Sequence, residues 1–147
     1  MKKDEILQLV AQEMEKNITE MRNSLNDYEE ASNIDEGDTV DPENFSQQSE
    51  NKEMQYVMQG KLDGALATLE QLQEFSGKSF SVARSGALIE TDKNYFLLGI
   101  SFPAVKVGNK ELLGISNESP AFNVINGMSS NDTFKLGNNT FTIKAIT

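Results

Sequence analysis

Residues 6–28 read ILQLVAQEMEKNITEMRNSLNDY. Apolar side chains at Ile6, Val10, Met14, Ile18, Met21, Leu25 and Tyr28 recur at steps of 4, 4, 4, 3, 4 and 3. That spacing puts them on one stripe of a helix of roughly 28 residues, about 42 Å long at the usual rise. The pattern fails between Ala31 and Gln47, and a second stripe follows at Met54, Met58, Leu62, Ala65, Leu69 and Leu72. Ser49 ahead of Lys52 and Glu53 is a loose start signal that leaves the N-cap open. Gly60 and Gly64 weaken this helix by up to about 1 kcal/mol each without breaking it.

Neither stripe supports a helix that is stable alone in water. Folding the two helices back on each other buries both stripes, so an antiparallel coiled-coil hairpin is expected. A parallel homodimer through the same stripes is the competing arrangement, and the similar helix lengths favour the hairpin.

Beyond the hairpin the pattern changes. Ser79–Ala83, Ala87–Thr91 and Tyr95–Phe102 alternate or run apolar, with Asp92–Lys93–Asn94 as a tight turn between the last two. Val105 to Leu113 surrounds a Gly108–Asn109 turn. Thr133–Leu136 and Thr140–Ile146 flank Gly137–Asn138–Asn139. Residues 117–131 suggest a short helix opened by Pro120. The expected fold class is α+β: a coiled-coil hairpin over residues 1–76, then a bent antiparallel sheet with a short helix over 77–147. Tyr95, Phe96, Phe102, Phe122 and Phe141 are expected in the core.

The 147 residues carry a net charge of −10 and contain no histidine, cysteine or tryptophan. Zinc sites built on Cys or His, thiol or His-based nucleophiles and disulfides are excluded. Oxygen-ligand metals remain. The charge is polarised. Residues 1–76 hold 18 acidic and 6 basic residues, a net of −12, and residues 77–147 hold 5 acidic and 7 basic, a net of +2. This balance disfavours unaided binding to a nucleic-acid backbone. No apolar run is long enough to span a bilayer, and the first residues lack a signal peptide's apolar region, so a cytoplasmic protein is expected.

The strongest chemical feature is the run Asp27, Glu29, Glu30, Asp35, Glu36, Asp38, Asp41 and Glu43, with no basic residue among them. A hairpin places it at one end of a rod. Crowded carboxylates repel, and a divalent cation relieves that repulsion. From composition alone, a solvated acidic loop is the simpler reading. Residues 35–41 do not give the calcium-loop order, because Gly37 falls too early. Phosphate-binding glycine motifs are absent from the sequence. Arg84 and Lys106 read as a modest basic patch or as solvated charges, and Lys78 reads equally as a solubilising charge and as a docking contact.

The C-terminal third resembles the Gre family of bacterial transcript-cleavage factors. Ile115–Pro120 (ISNESP) is similar to the family's IS-x-x-SP run, and Gly127 falls on the glycine of its next segment. Asp132–Thr133 resembles the GD-x-V that follows, with Asn131 where glycine is usual. Residues 141–146 (FTIKAI) look like the closing Y-x-I-x-x-I. The acidic hairpin extends the likeness across nearly the whole chain.

The resemblance implies an FKBP-like C-terminal fold that docks at the rim of the RNA polymerase secondary channel, with Ser119, Pro120 and Gly127 at the matched docking positions. It implies a hairpin tip that shares the polymerase's Mg²⁺ and promotes cleavage of backtracked RNA, with the factor itself no enzyme. Contact with the RNA 3′ end would be indirect, DNA would be met only through the polymerase, and the factor would act as a monomer. Residues 49–54 (SENKEM) resemble the family's S-E-N-A-E-Y, which makes Glu50 and Glu53 the matched glutamates but puts Gln47 at the position of the essential acid. Asp38, Asp41 and Glu43 are the alternative tip acids and Mg²⁺ ligands, with Glu50 assisting. The departure at Gln47 equally suits a non-cleaving or inhibitory secondary-channel regulator. An unrelated coiled-coil adaptor is the third reading. Prolyl isomerase activity is disfavoured because the core leaves few aromatics to line a proline pocket.

Overall fold

The computed structural model describes residues 2–32 and 42–147. Its element order is α1 (Lys3–Ser32), α2 (Pro42–Phe75), β1 (Leu88–Thr91), β2 (Tyr95–Gly99), β3 (Val105–Val107), β4 (Lys110–Ser116), α3 (Pro120–Ile125), β5 (Thr133–Leu136) and β6 (Asn139–Ile146). The fold class is α+β, as the patterning predicts. The chain divides into two compact units, one of residues 14–67 and one of residues 1–13 with 68–147.

In unit 14–67, the Gln55 amide donates to the Tyr28 carbonyl at 3.0 Å, so the last turns of α1 lie beside α2 at Gln55 in a hairpin. Met14, Ile18, Leu25 and Leu62 are buried, while Met58 and Ala65 are half-buried. Met54 departs from the expected stripe and is 47% exposed. The second helix also begins earlier than Ser49, at Pro42. Proline at the first helical turn has the right φ and no amide to leave unpaired. The Glu and Gln residues after it are good helix formers, so no apolar face is needed to start the helix.

In the other unit, six strands form one sheet in the order β3-β4-β2-β1-β6-β5. The expected all-antiparallel sheet is corrected here: β2 and β4 run parallel, from Tyr95↔Leu112 to Gly99↔Ser116. The cause is how the β3–β4 hairpin docks. Its first strand runs against β2, so attachment through its second strand gives a parallel pair. Two-residue connections at Gly108–Asn109 and Gly137–Asn138 join β3 to β4 and β5 to β6. Ser79–Ala83 is not a strand. Its amides bond to different segments, Phe80 to Thr147 and Ala83 to Met128, so no single ladder forms.

The core on one side of the sheet gathers Ala83, Ile89, Phe96, Leu98, Ile115, Ile125, Phe134, Phe141 and Ile143. Phe96 and Phe141 are thus core residues as expected, Phe122 is half-buried and packs against that core, and Tyr95 and Phe102 are only half-buried. Gly114 is required by close packing. A Cβ there would lie 2.6 Å from Phe102 Cε1 and 2.7 Å from the Ile100 carbonyl oxygen. Gly114→Ala is therefore expected to destabilise this unit by about 1–3 kcal/mol through overpacking. A denaturant midpoint equal to that of the unaltered protein would contradict this.

The β1–β2 turn is organised by Thr91, which is fully buried. Its Oγ1 donates to the Asn94 carbonyl at 2.7 Å and accepts from the Asn94 amide at 3.0 Å. A register shift between Glu90 and Thr91 lets Asp92 meet β6. The Thr142 amide donates to Asp92 Oδ1 at 2.9 Å. That bond holds the carboxyl below its ordinary pKa of 3.8, against a smaller desolvation effect and with help from Lys93 and Lys144. With the folded pKa below the unfolded one, the stabilisation is present above pH 3.8 and is lost as pH falls through the folded value. Asp92→Asn is expected to lower stability at neutral pH and to flatten the acid limb of the stability curve. An acid-unfolding curve identical to that of the unaltered protein would refute this account.

Candidate functional site

The acidic run spans the connection between the helices. Asp27, Glu29 and Glu30 lie exposed on the last turns of α1. Glu43 falls at the start of α2. Asp35, Glu36, Asp38 and Asp41 lie outside the described residues. Gln47, Glu50 and Glu53 follow in the sequence of α2, and Glu50 and Glu53, three residues apart, are exposed. Among the described residues no three acids converge in a way that could hold a metal ion. The acids of the run offer only hard oxygen donors, which suit Mg²⁺. That ion commonly takes one or two protein carboxylates and completes its shell elsewhere.

The three candidate docking residues shape α3. Ser119 is its N-cap, with extended backbone, and its Oγ accepts from the Ala121 amide at 3.3 Å. Pro120 fills the first helical position. The helix ends at Asn126, whose amide returns to the Phe122 carbonyl at 2.8 Å. Gly127 then takes φ +87° and donates to the Ala83 carbonyl at 2.8 Å. Ile125, fully buried, anchors this helix to the core. Val82 and Val124 are 41% and 40% exposed. Asn131 has φ +74°, a left-handed conformation that asparagine tolerates better than most residues. The geometry explains why glycine would suit that position and how asparagine replaces it.

The sequence reading missed a groove of about 390 Å³ in the unit of residues 1–13 and 68–147, lined among others by Lys2, Lys3, Ile6, Lys78, Leu88 and Tyr95. Lys3 is only 9% exposed. Its amine donates to the Lys78 carbonyl at 2.8 Å and the Thr147 carbonyl at 3.1 Å. Burial pulls its pKa down, and nearby Asp4 pushes it back up. A signal was present: Lys3 continues the spacing of Leu7, Val10 and Met14 to the head of the buried stripe.

Comparison with known proteins adds little. No family model and no curated protein sequence matches the chain. Among solved structures, the crystal structure of GreA factor homolog 1 of Thermus thermophilus is similar over 95% of each chain, at 15% identity and a TM-score of 0.36. A likeness that loose carries no functional argument. Among the described residues no helix is long and apolar enough to cross a membrane.

Proposed function

We propose that this chain is a cytoplasmic RNA polymerase secondary-channel factor that modulates transcription elongation by stimulating Mg²⁺-dependent cleavage of backtracked RNA. The observation that carries the reading is the run of eight acids without a base, from the last turns of α1 to the first residues of α2 in a net −12 segment. The ordered C-terminal motifs support it, with the left-handed backbone at Gly127 and Asn131 falling where the resemblance expects glycine.

In this reading the factor is not itself an enzyme. Asp38, Asp41 and Glu43, assisted by Glu50, supply carboxylates to an ion shared with the polymerase. That ion would activate water and stabilise charge developing on phosphate. Ser119, Pro120 and Gly127 present α3 for docking, and the factor acts as a monomer.

The deciding experiment incubates a backtracked elongation complex with the protein and Mg²⁺ and follows short 3′ RNA products. Their appearance above the polymerase's own background supports the reading. Binding without cleavage would replace it with an inhibitory secondary-channel role, for which Gln47 at the matched acid position is the specific argument. Absence of polymerase binding would sink both.

A further inference from the structure

Single apolar side chains on a surface are ordinary, but Met54, Tyr56 and Val57 of α2 are 47%, 84% and 50% exposed within four consecutive residues. The other large apolar side chains so exposed among the described residues, Val82 and Val124, belong to the other unit. Met54 and Val57 sit inside a regular stripe. Glu50, Met54, Val57 and Lys61 follow at steps of 4, 3 and 4, which puts them on one side of the helix over about three turns. All four are exposed. The stripe that packs within the unit is a different one, with Met58 and Ala65 half-buried and Leu62 buried.

The order of the residues selects the occupant. Along the chain the exposed stripe runs acid, apolar, apolar, base, and in reverse it runs base, apolar, apolar, acid. It is therefore complementary to an antiparallel copy of itself. A reversed second copy, centred midway between Gln55 and Tyr56, brings Glu50 opposite Lys61 twice and Met54 opposite Val57 twice. Such a pairing uses the same patch on both chains, the form that most homodimers take. A parallel copy would set Glu50 against Glu50 and Lys61 against Lys61, and charges flanking an apolar seam set helix orientation. A uniformly basic partner would match Glu50 but repel Lys61. We infer that this side of α2 pairs antiparallel with the same side of a second copy of the chain, through Glu50–Lys61 and Met54–Val57 contacts in both directions. The stripe is short, so the pair is weak, with a Kd on the order of 0.1 mM. This inference is independent of the proposed polymerase role, in which the factor acts as a monomer.

The test is sedimentation equilibrium of the full chain up to about 1 mM, where a reversible monomer–dimer equilibrium is expected. Lys61→Glu should weaken association about tenfold, since two attractions become repulsions. Adding Glu50→Lys to that variant restores opposite charges across an antiparallel pair and should bring association back to within about threefold of the unaltered protein. Lys52→Glu makes the same change in net charge off the stripe and should leave association within about twofold. These three side chains are exposed, so the thermal midpoint of each variant should match that of the unaltered protein. Orientation has its own readout. The chain has no cysteine, so Met54→Cys and Val57→Cys each introduce a single thiol. Mixed and oxidised together, the two variants should give more of the mixed disulfide dimer than of both like-with-like products combined. A monomer at every concentration, or undiminished association by Lys61→Glu, overturns the inference. So does a charge-swapped double variant as weak as the single one, or a majority of like-with-like disulfides.

Discussion

Combining Asp38→Asn, Asp41→Asn and Glu43→Gln is expected to reduce factor-stimulated RNA cleavage to the polymerase's own background while leaving polymerase binding nearly intact. The charge arithmetic motivates this expectation: the three substitutions remove three of the eight acids in a run that contains no base. Amides keep the size of the side chains but cannot supply the anionic oxygens that a hard divalent cation selects. Glu50→Gln, on the exposed side of α2, should have a smaller effect if Glu50 only assists. The measurement is the yield of short 3′ RNA from a stalled, backtracked complex, paired with a binding assay. Undiminished cleavage by the triple variant would remove these residues from the site. Cleavage and binding lost together would instead show that the run serves docking.

The largest stability effect is expected at Phe96. Its side chain is 3% exposed and meets Phe134 edge-on at 5.8 Å and Phe141 at 5.3 Å. Phe96→Ala leaves a cavity between rings that cannot all collapse, at a cost of about 3–5 kcal/mol. Of that, roughly 0.5–1.5 kcal/mol reflects each lost ring pair. Set against the usual 5–15 kcal/mol for a folded domain, this brings the sheet near its unfolding threshold. Urea unfolding followed through the amides of β2 and β6 should show a lower midpoint. A loss below about 1 kcal/mol would mean that the three rings do not form the packed cluster described.

The elements legible in the sequence were those with a strong period. The α1 stripe is buried at Ile6, Val10, Met14, Ile18 and Leu25. Three turns were marked by their Gly or Asn residues, and the start of α3 by Pro120. What escaped lacked a local signal. The start of α2 rests on backbone preference without an apolar face. The parallel β2–β4 pair depends on which strand of a hairpin docks, and neither strand records that choice. At the candidate site, charge composition located the acidic run but could not rank its acids, because a solvated carboxylate and a metal ligand are the same residue in sequence. Lys3 was overlooked because it was counted as charge, although its position marked it as part of the buried stripe.

The division of the chain has a consequence for how such a protein can vary. Residues 1–13 belong to the same compact unit as residues 68–147, so both ends of the described chain lie in one body. Residues 14–67 leave that body through α1 and return through α2, with each helix unbroken across the boundary. Residues 14–67 are thus an insert in the sequence of that unit. Removing or adding matched seven-residue segments in both helices would change the length of that segment while keeping each stripe in phase. The length of residues 14–67 and the packing of the sheet can therefore change independently.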